Sequence, residues 1–178
     1  LAASDTDFPA WAGMRDRVWA HDWTSVVVSG HSQGSGHALY LARELQVERA
    51  VMLSGVNDRI GSGSAGNAPP PWIAQYASVA QTLASHALGF VHSDDTVGIT
   101  SQLFDNWDQL GLGARCDWAA GGGYDATCRR IVITSPTCSG VLAHAATVLA
   151  QFGVGCLPGG TRYANQATWT FLLTTPLP

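Results

Sequence analysis

Short apolar runs alternate along this chain with longer stretches of helical period. The first run, Val26-Val27-Val28, is β-branched and closes in Ser29-Gly30. Three more follow: Ala50 to Leu53, Ala87 to His92, and Ile131 to Thr134. Runs of this length and composition read as buried strands. Between the first two, Ala38, Leu39, Leu41, Ala42 and Leu45 recur at helical spacing within Ser35 to Leu45. Trp72 to His86 places positions 72, 73, 76, 79, 80 and 83 on one face and predicts a single amphipathic helix. Ile99, Leu103, Phe104, Trp107 and Leu110 predict another, with Gly111 placed to stop it. Two more are expected near Val141 to Phe152 and at Ala167 to Leu173. Ahead of the first strand, Trp11, Met14, Val18 and Trp19 approximate one helical face within Leu1 to Thr24. Val56 to Pro71 and Gly113 to Arg129 read as loops; the first carries three consecutive prolines, the second Gly121-Gly122-Gly123. The alternation predicts an α/β fold, a four-stranded parallel sheet with helices on both faces, in one domain spanning residues 1–178.

Composition narrows the range of partners. Net charge is -4, charged residues are 12%, and all nine basic residues are arginines with no basic cluster, so nucleic acid is not an expected partner. No apolar run approaches the roughly 20 residues of a membrane span, and no signal-like segment opens the chain. The first residue is Leu1 rather than methionine, which fits a processed product or a portion of a longer polypeptide.

The four cysteines are Cys116, Cys128, Cys138 and Cys156. They form no C-x-x-C pair and no histidine stands at finger-like spacing, which argues against zinc. An even count in loop-rich sequence predicts two disulfides and an oxidising compartment. Cys116–Cys128 and Cys138–Cys156 each bracket one loop and are the expected pairs; free buried thiols are the alternative.

The chemistry concentrates at strand ends. Gly30-His31-Ser32-Gln33-Gly34 is a G-x-S-x-G pattern between a predicted strand and a predicted helix, the context of a nucleophile elbow. Both glycines are expected where side chains would collide across the tight turn. A serine nucleophile needs a histidine base, and the base needs an orienting carboxylate. The third strand ends in His92-Ser93-Asp94-Asp95, and His144 follows the fourth. Functional groups of parallel sheets collect at the C-terminal ends of strands. His92 is expected to support the acid loop, His37 to be a buried structural histidine, and His21 and His86 to face solvent.

Those residues, in the order Ser32, Asp95, His144, resemble the α/β-hydrolase superfamily, specifically its C-terminal half, with the four strands as the fifth to eighth of the family sheet. The likeness spans nearly the whole chain. The Gly-His-Ser-Gln-Gly-Ser-Gly-His run and Asn106-Trp107-Asp108-Gln-Leu-Gly111 are similar to bacterial secreted members of unassigned substrate. The resemblance implies a serine hydrolase acting on an ester or related acyl bond. It makes Ser32 the nucleophile, His144 the base, Asp95 the acid, and the Gln33 N–H an oxyanion-hole donor. Asp94 and Asp58 are alternative acids, and His31 is a candidate substrate contact. No metal or organic cofactor is implied. A small-molecule or lipid-like ester is the expected substrate, and a secreted or periplasmic location follows from the cysteines and the resemblance.

The family has strands ahead of the elbow, and the loop after the third supplies a second oxyanion donor. Only one predicted helix stands there in this sequence. The Val26 strand is therefore expected to form an open apolar edge, with the missing N-terminal half of the same protein, or a second chain, as a possible partner. Two other functions remain compatible: a non-catalytic binding or scaffold protein of this fold, and an acyltransferase using the same triad.

Overall fold

The computed structural model describes residues 13, 16, 17, 19–61, 68–119, 122–134, 138–148 and 165–177. In chain order the elements are β1 (Val27–His31), α1 (Gln33–Glu44), β2 (Arg49–Leu53), α2 (Pro71–Ala74) and α3 (Tyr76–Val79). A 3-10 turn (Ala84–His86), β3 (Ala87–His92), α4 (Thr100–Gln109), β4 (Arg115–Asp117), β5 (Arg130–Ile133), α5 (Gly140–Ala145) and α6 (Gln166–Thr174) follow. The five strands make one sheet of order β1-β2-β3-β5-β4, and every pairing is parallel.

Alternating side chains bury both faces. Ala50 and Met52 of β2, Ala87 and Val91 of β3, and Val132 of β5 point to one core, with Leu39, Ala42, Leu103 and Trp107 from α1 and α4. Val51, Leu88, Phe90, Ile131 and Ile133 point to the other, with Ala143, Ala146 and Leu172. A sheet buried on both sides explains the near-continuous apolar strands that made these elements visible in sequence. Trp107 anchors the first core: it is fully buried, and its Nε1–H donates to the Gly55 carbonyl at 2.9 Å. The indole fits because β3 has a glycine there; a Cβ on Gly89 would lie 2.5 Å from the ring.

Gly111 stops α4 as expected. It adopts φ +66, its N–H donates to Asp108 O, and Leu112 N–H reaches back to Trp107 O, the paired bonds of a Schellman ending.

Four expectations need correction. Among the described residues the sheet has five strands, because Arg115-Cys116-Asp117, expected within a loop, adds β4 to the outer side of β5. Trp72 to His86 is not one helix. Its N–H groups at Gln81 and Thr82 instead donate to Arg43 O and Ala42 O at the end of α1, and Thr82 Oγ1 accepts from Val47 N–H, so tertiary partners replace the helical ladder. The helix after β5 is short, covering Gly140–Ala145, while positions 149–152 of the expected span lie outside the described residues. Leu41 is half exposed and Trp19 is 76% exposed, so neither belongs to a buried face; Trp11, Met14 and Val18 lie outside the described residues.

The Cys116–Cys128 disulfide is present and ties β4 to the segment entering β5, which fits an oxidising compartment. Cys138 is also disulfide-bonded; its expected partner Cys156 lies outside the described residues. Among the described residues no helix is long and apolar enough to cross a membrane. Among the described residues β1 stands at one end of the sheet, pairing with β2.

Candidate active site

Ser32 stands between the last residue of β1 and the first of α1, with φ 56 and ψ -123. That is a strained conformation for a residue with a Cβ, and such strain persists only where the surroundings over-determine it. Here Ser32 N–H donates to Leu53 O at 2.8 Å, and Ser35 N–H donates to Ser32 O at 3.0 Å. The buried Ser35 hydroxyl lies 2.8 Å from Gly30 O and 2.9 Å from Leu53 O, bridging the elbow to β2. Gly30 is obligatory, because a Cβ there would lie 1.9 Å from Gly34 O. The expectation that both glycines avoid a collision holds for Gly30 alone, since a Cβ on Gly34 would meet nothing within 4 Å. Gln33 opens α1, so its N–H has no intrahelical acceptor and remains beside the serine.

Asp95 follows β3 and is 2% exposed; His144 is the fifth residue of α5 and 8% exposed. His144 Nδ1 lies 2.7 Å from Asp95 Oδ2. A carboxylate accepts only, so Nδ1 carries the hydrogen and the neutral ring keeps its lone pair on Nε2. The other oxygen, Oδ1, accepts the N–H groups of Val97 at 3.0 Å and Gly98 at 3.1 Å. The carboxylate is thus fully partnered, and its ring-facing oxygen is fixed.

Of the three aspartates considered, Asp95 is the one bonded to His144. Asp94 is exposed and contributes its carbonyl, which accepts Gly140 N–H at 3.1 Å. Asp58 packs instead against the elbow helix: a Cβ on Gly36 would lie 2.3 Å from its Oδ2. Desolvation there raises the Asp58 carboxyl above its ordinary value, against smaller lowering effects of a backbone hydrogen bond and of His37.

The histidines divide clearly. His92 is fully buried and its Nδ1 accepts Asp94 N–H at 3.0 Å, the support expected of it. His37 is exposed, contrary to the buried role expected, because it falls on the outer face of α1. His86, expected in solvent, is half buried with Nδ1 2.8 Å from Glu48 O. His31 lies against His144, with ring centroids 4.6 Å apart and its Nε2 2.9 Å from His144 O. Its position gave no sign of this contact, which spans 113 residues of sequence. Ser54 and Thr147 were missed too. Both are fully buried and hydrogen-bonded to each other, and Ser54 Oγ also bonds His144 O. The Ser54-Gly55 pair closing a buried strand was the available signal.

Ser32 and His144 therefore share one end of the sheet, linked through His31. Among the described residues no hydrogen bond joins Ser32 Oγ to His144 Nε2. A hollow of about 440 Å³ opens beside the acid loop, lined by Ser93, Asp94, Asp95, Thr96, Thr100 and Ser139 together with Ile99. It reaches neither Ser32 nor His144. No protein-family model, curated protein or solved structure matches the chain.

Proposed function

We propose that this chain is a serine hydrolase of the α/β-hydrolase kind, acting on a small-molecule or lipid-like ester or related acyl bond. The observation that carries the reading is the buried Asp95–His144 hydrogen bond at 2.7 Å, at the sheet end where Ser32 is held at positive φ. Positive φ alone does not mark a nucleophile, since Ser54 after β2 also adopts φ 51; what supports Ser32 is its place in the strand–helix elbow, at the same sheet end as the carboxylate-oriented imidazole.

Ser32 Oγ attacks the acyl carbonyl while His144 Nε2 takes its proton. The developing imidazolium is stabilised by Asp95, whose second oxygen is already satisfied by two backbone N–H groups. The Gln33 N–H, at the positive end of α1, binds the oxyanion. The same proton then passes to the leaving alkoxide, and water repeats the sequence to release the acyl group. The open link is Ser32 to His144, and apo sites commonly tighten that contact only when substrate is bound. The disulfide supports an oxidising, extracytoplasmic setting.

The test is fluorophosphonate labelling read by mass spectrometry on the folded chain and on Ser32→Ala. An adduct on Ser32, absent from the alanine variant, is expected. Equal labelling of Ser32→Ala, or a folded wild-type chain that does not react, would refute the assignment and favour a binding protein of this fold. Product analysis with added alcohols separates hydrolysis from acyl transfer to another acceptor.

A further inference from the structure

The end of α5 and the turn after it leave carbonyls without helical partners, and side chains from distant elements take three of them. His144 O receives two donors: His31 Nε2 at 2.9 Å and the Ser54 hydroxyl at 2.8 Å. Asn165 Nδ2 donates to Ala146 O at 2.6 Å, and Trp169 Nε1 donates to Thr147 O at 2.8 Å. Hydrogen placement follows from the acceptors. A carbonyl cannot donate, so His31 carries its hydrogen on Nε2, and the Ser54 proton points to His144 O. Thr147 Oγ1, 2.9 Å from Ser54 Oγ, then donates to Ser54.

Each donor to His144 O stands at a strand tip. Ser54 follows β2, whereas His31 ends β1 and is covalently joined to Ser32. His31 is thus the direct tie between the nucleophile's own strand and the peptide carrying the base.

We propose that His31 is a positioning residue: it holds His144 in register with Ser32 by donating from Nε2 to the His144 carbonyl. Its Nε2 faces the base loop, so it does not contact substrate through that atom. The kinetic consequence rests on the serine-hydrolase reading above, while the tie itself has a readout of its own. Loss of the donor leaves His144 O with Ser54 alone and frees the ring to shift relative to Ser32. A misplacement of about 1 Å in a reacting pair costs on the order of a hundredfold in rate.

Two variants separate a donor from a space-filling ring. His31→Phe keeps an aromatic ring but donates nothing; His31→Gln supplies an amide N–H near the position of Nε2. The first should slow fluorophosphonate labelling of Ser32 by roughly tenfold to a hundredfold, with kcat on a short acyl ester falling and KM little changed. The second should recover most of that rate. Independently of Ser32, the far-downfield proton resonance of His144 Nδ1–H on Asp95, assigned by its loss in Asp95→Asn, should shift or broaden in His31→Phe and be restored in His31→Gln. A His31→Phe chain with wild-type labelling and an unmoved resonance overturns the proposal. So does a glutamine variant no better than phenylalanine in both readouts. If wild-type Ser32 does not label but the resonance follows this pattern, the tie stands and the hydrolase reading falls.

Discussion

The two glycines of the elbow should respond to the same substitution with opposite signs. A methyl on Gly30 would lie 1.9 Å from Gly34 O, 2.2 Å from Gly34 C and 2.7 Å from Ser35 N. These are backbone atoms, so no side chain can rotate away, and the turn must open by more than an ångström. Opening it strains two bonds at once: Ser32 N–H to Leu53 O, and the single Ser35 O–H shared between Gly30 O and Leu53 O. At about 1 kcal/mol for each hydrogen bond, with about 1–3 kcal/mol for overpacking, Gly30→Ala should cost roughly 4 kcal/mol. That is a large fraction of the roughly 5–15 kcal/mol typical of a domain, and Ser32 should lose its reactivity with it. Gly34→Ala meets nothing within 4 Å and sits in the first turn of α1. The exchange removes a flexible helical glycine and should stabilise by up to about 1 kcal/mol. Urea denaturation of both variants, paired with labelling of Ser32, measures the contrast. Comparable destabilisation by the two would refute the reasoning, since the space beside Gly34 would then be occupied.

Replacing Cys116 and Cys128 by serine removes a cross-link spanning 12 residues, and should lower stability by about 2–3 kcal/mol in denaturation; an unchanged midpoint would show that β4 is held by its pairing alone. Asp58 gives a pH-dependent effect. Its raised carboxyl pKa, caused chiefly by desolvation, means that the folded chain binds this proton more tightly than the unfolded chain. Its contribution therefore favours folding below the ordinary carboxylate range and is lost as pH rises through the raised value. Asp58→Asn should accordingly be slightly more stable than wild type at pH 7, by less than about 1 kcal/mol because the group is partly solvated. The difference should shrink on acidification; an equal or less stable variant at pH 7 would contradict the burial argument.

The elements legible in sequence are those whose signal is local. β3 is bounded as its apolar run predicts, and α4 ends where Gly111 can adopt positive φ. The errors at Trp72–His86 and at Arg115–Asp117 arise from tertiary context instead. Trp72 to His86 carries a helical pattern, but two of its N–H groups bond carbonyls of α1, and nothing within the segment announces that. Arg115-Cys116-Asp117 has no apolar alternation because, as a short strand at the end of the described sheet, it buries little; among the described residues its strand partner is β5. The same distinction runs through the site. Gly30, Ser32 and Gln33 form a contiguous motif, and the Asp95 loop can be located by its strand. The roles of His31 and Ser54 depend on where His144 lands, which a linear pattern does not encode.

That landing follows from the sheet order. β5 lies three strands from β1, roughly 14 Å at the usual inter-strand spacing, so a histidine that follows β5 must be carried back across the strand tips to approach Ser32. The ties along that route mark the crossing. Gly140 N–H meets Asp94 O, and His144 meets Asp95, both just beyond β3. His144 O then meets Ser54 beyond β2 and His31 at the end of β1. The sequence separations of the three side-chain ties, 49, 90 and 113 residues, rise strand by strand outward. Each successive contact closes a larger loop and depends on one more strand being in place, and non-local contacts of this kind form slowly. The Asp95–His144 pair requires only the β3 and β5 portion of the sheet, whereas alignment with Ser32 requires β1 to be docked on β2. A perturbation confined to the β1–β2 pairing should therefore keep Asp95 and His144 bonded, with the Nδ1–H resonance shifted or broadened as in His31→Phe, while uncoupling the pair from the serine, because the first tie is anchored on the inner strands and the last on β1.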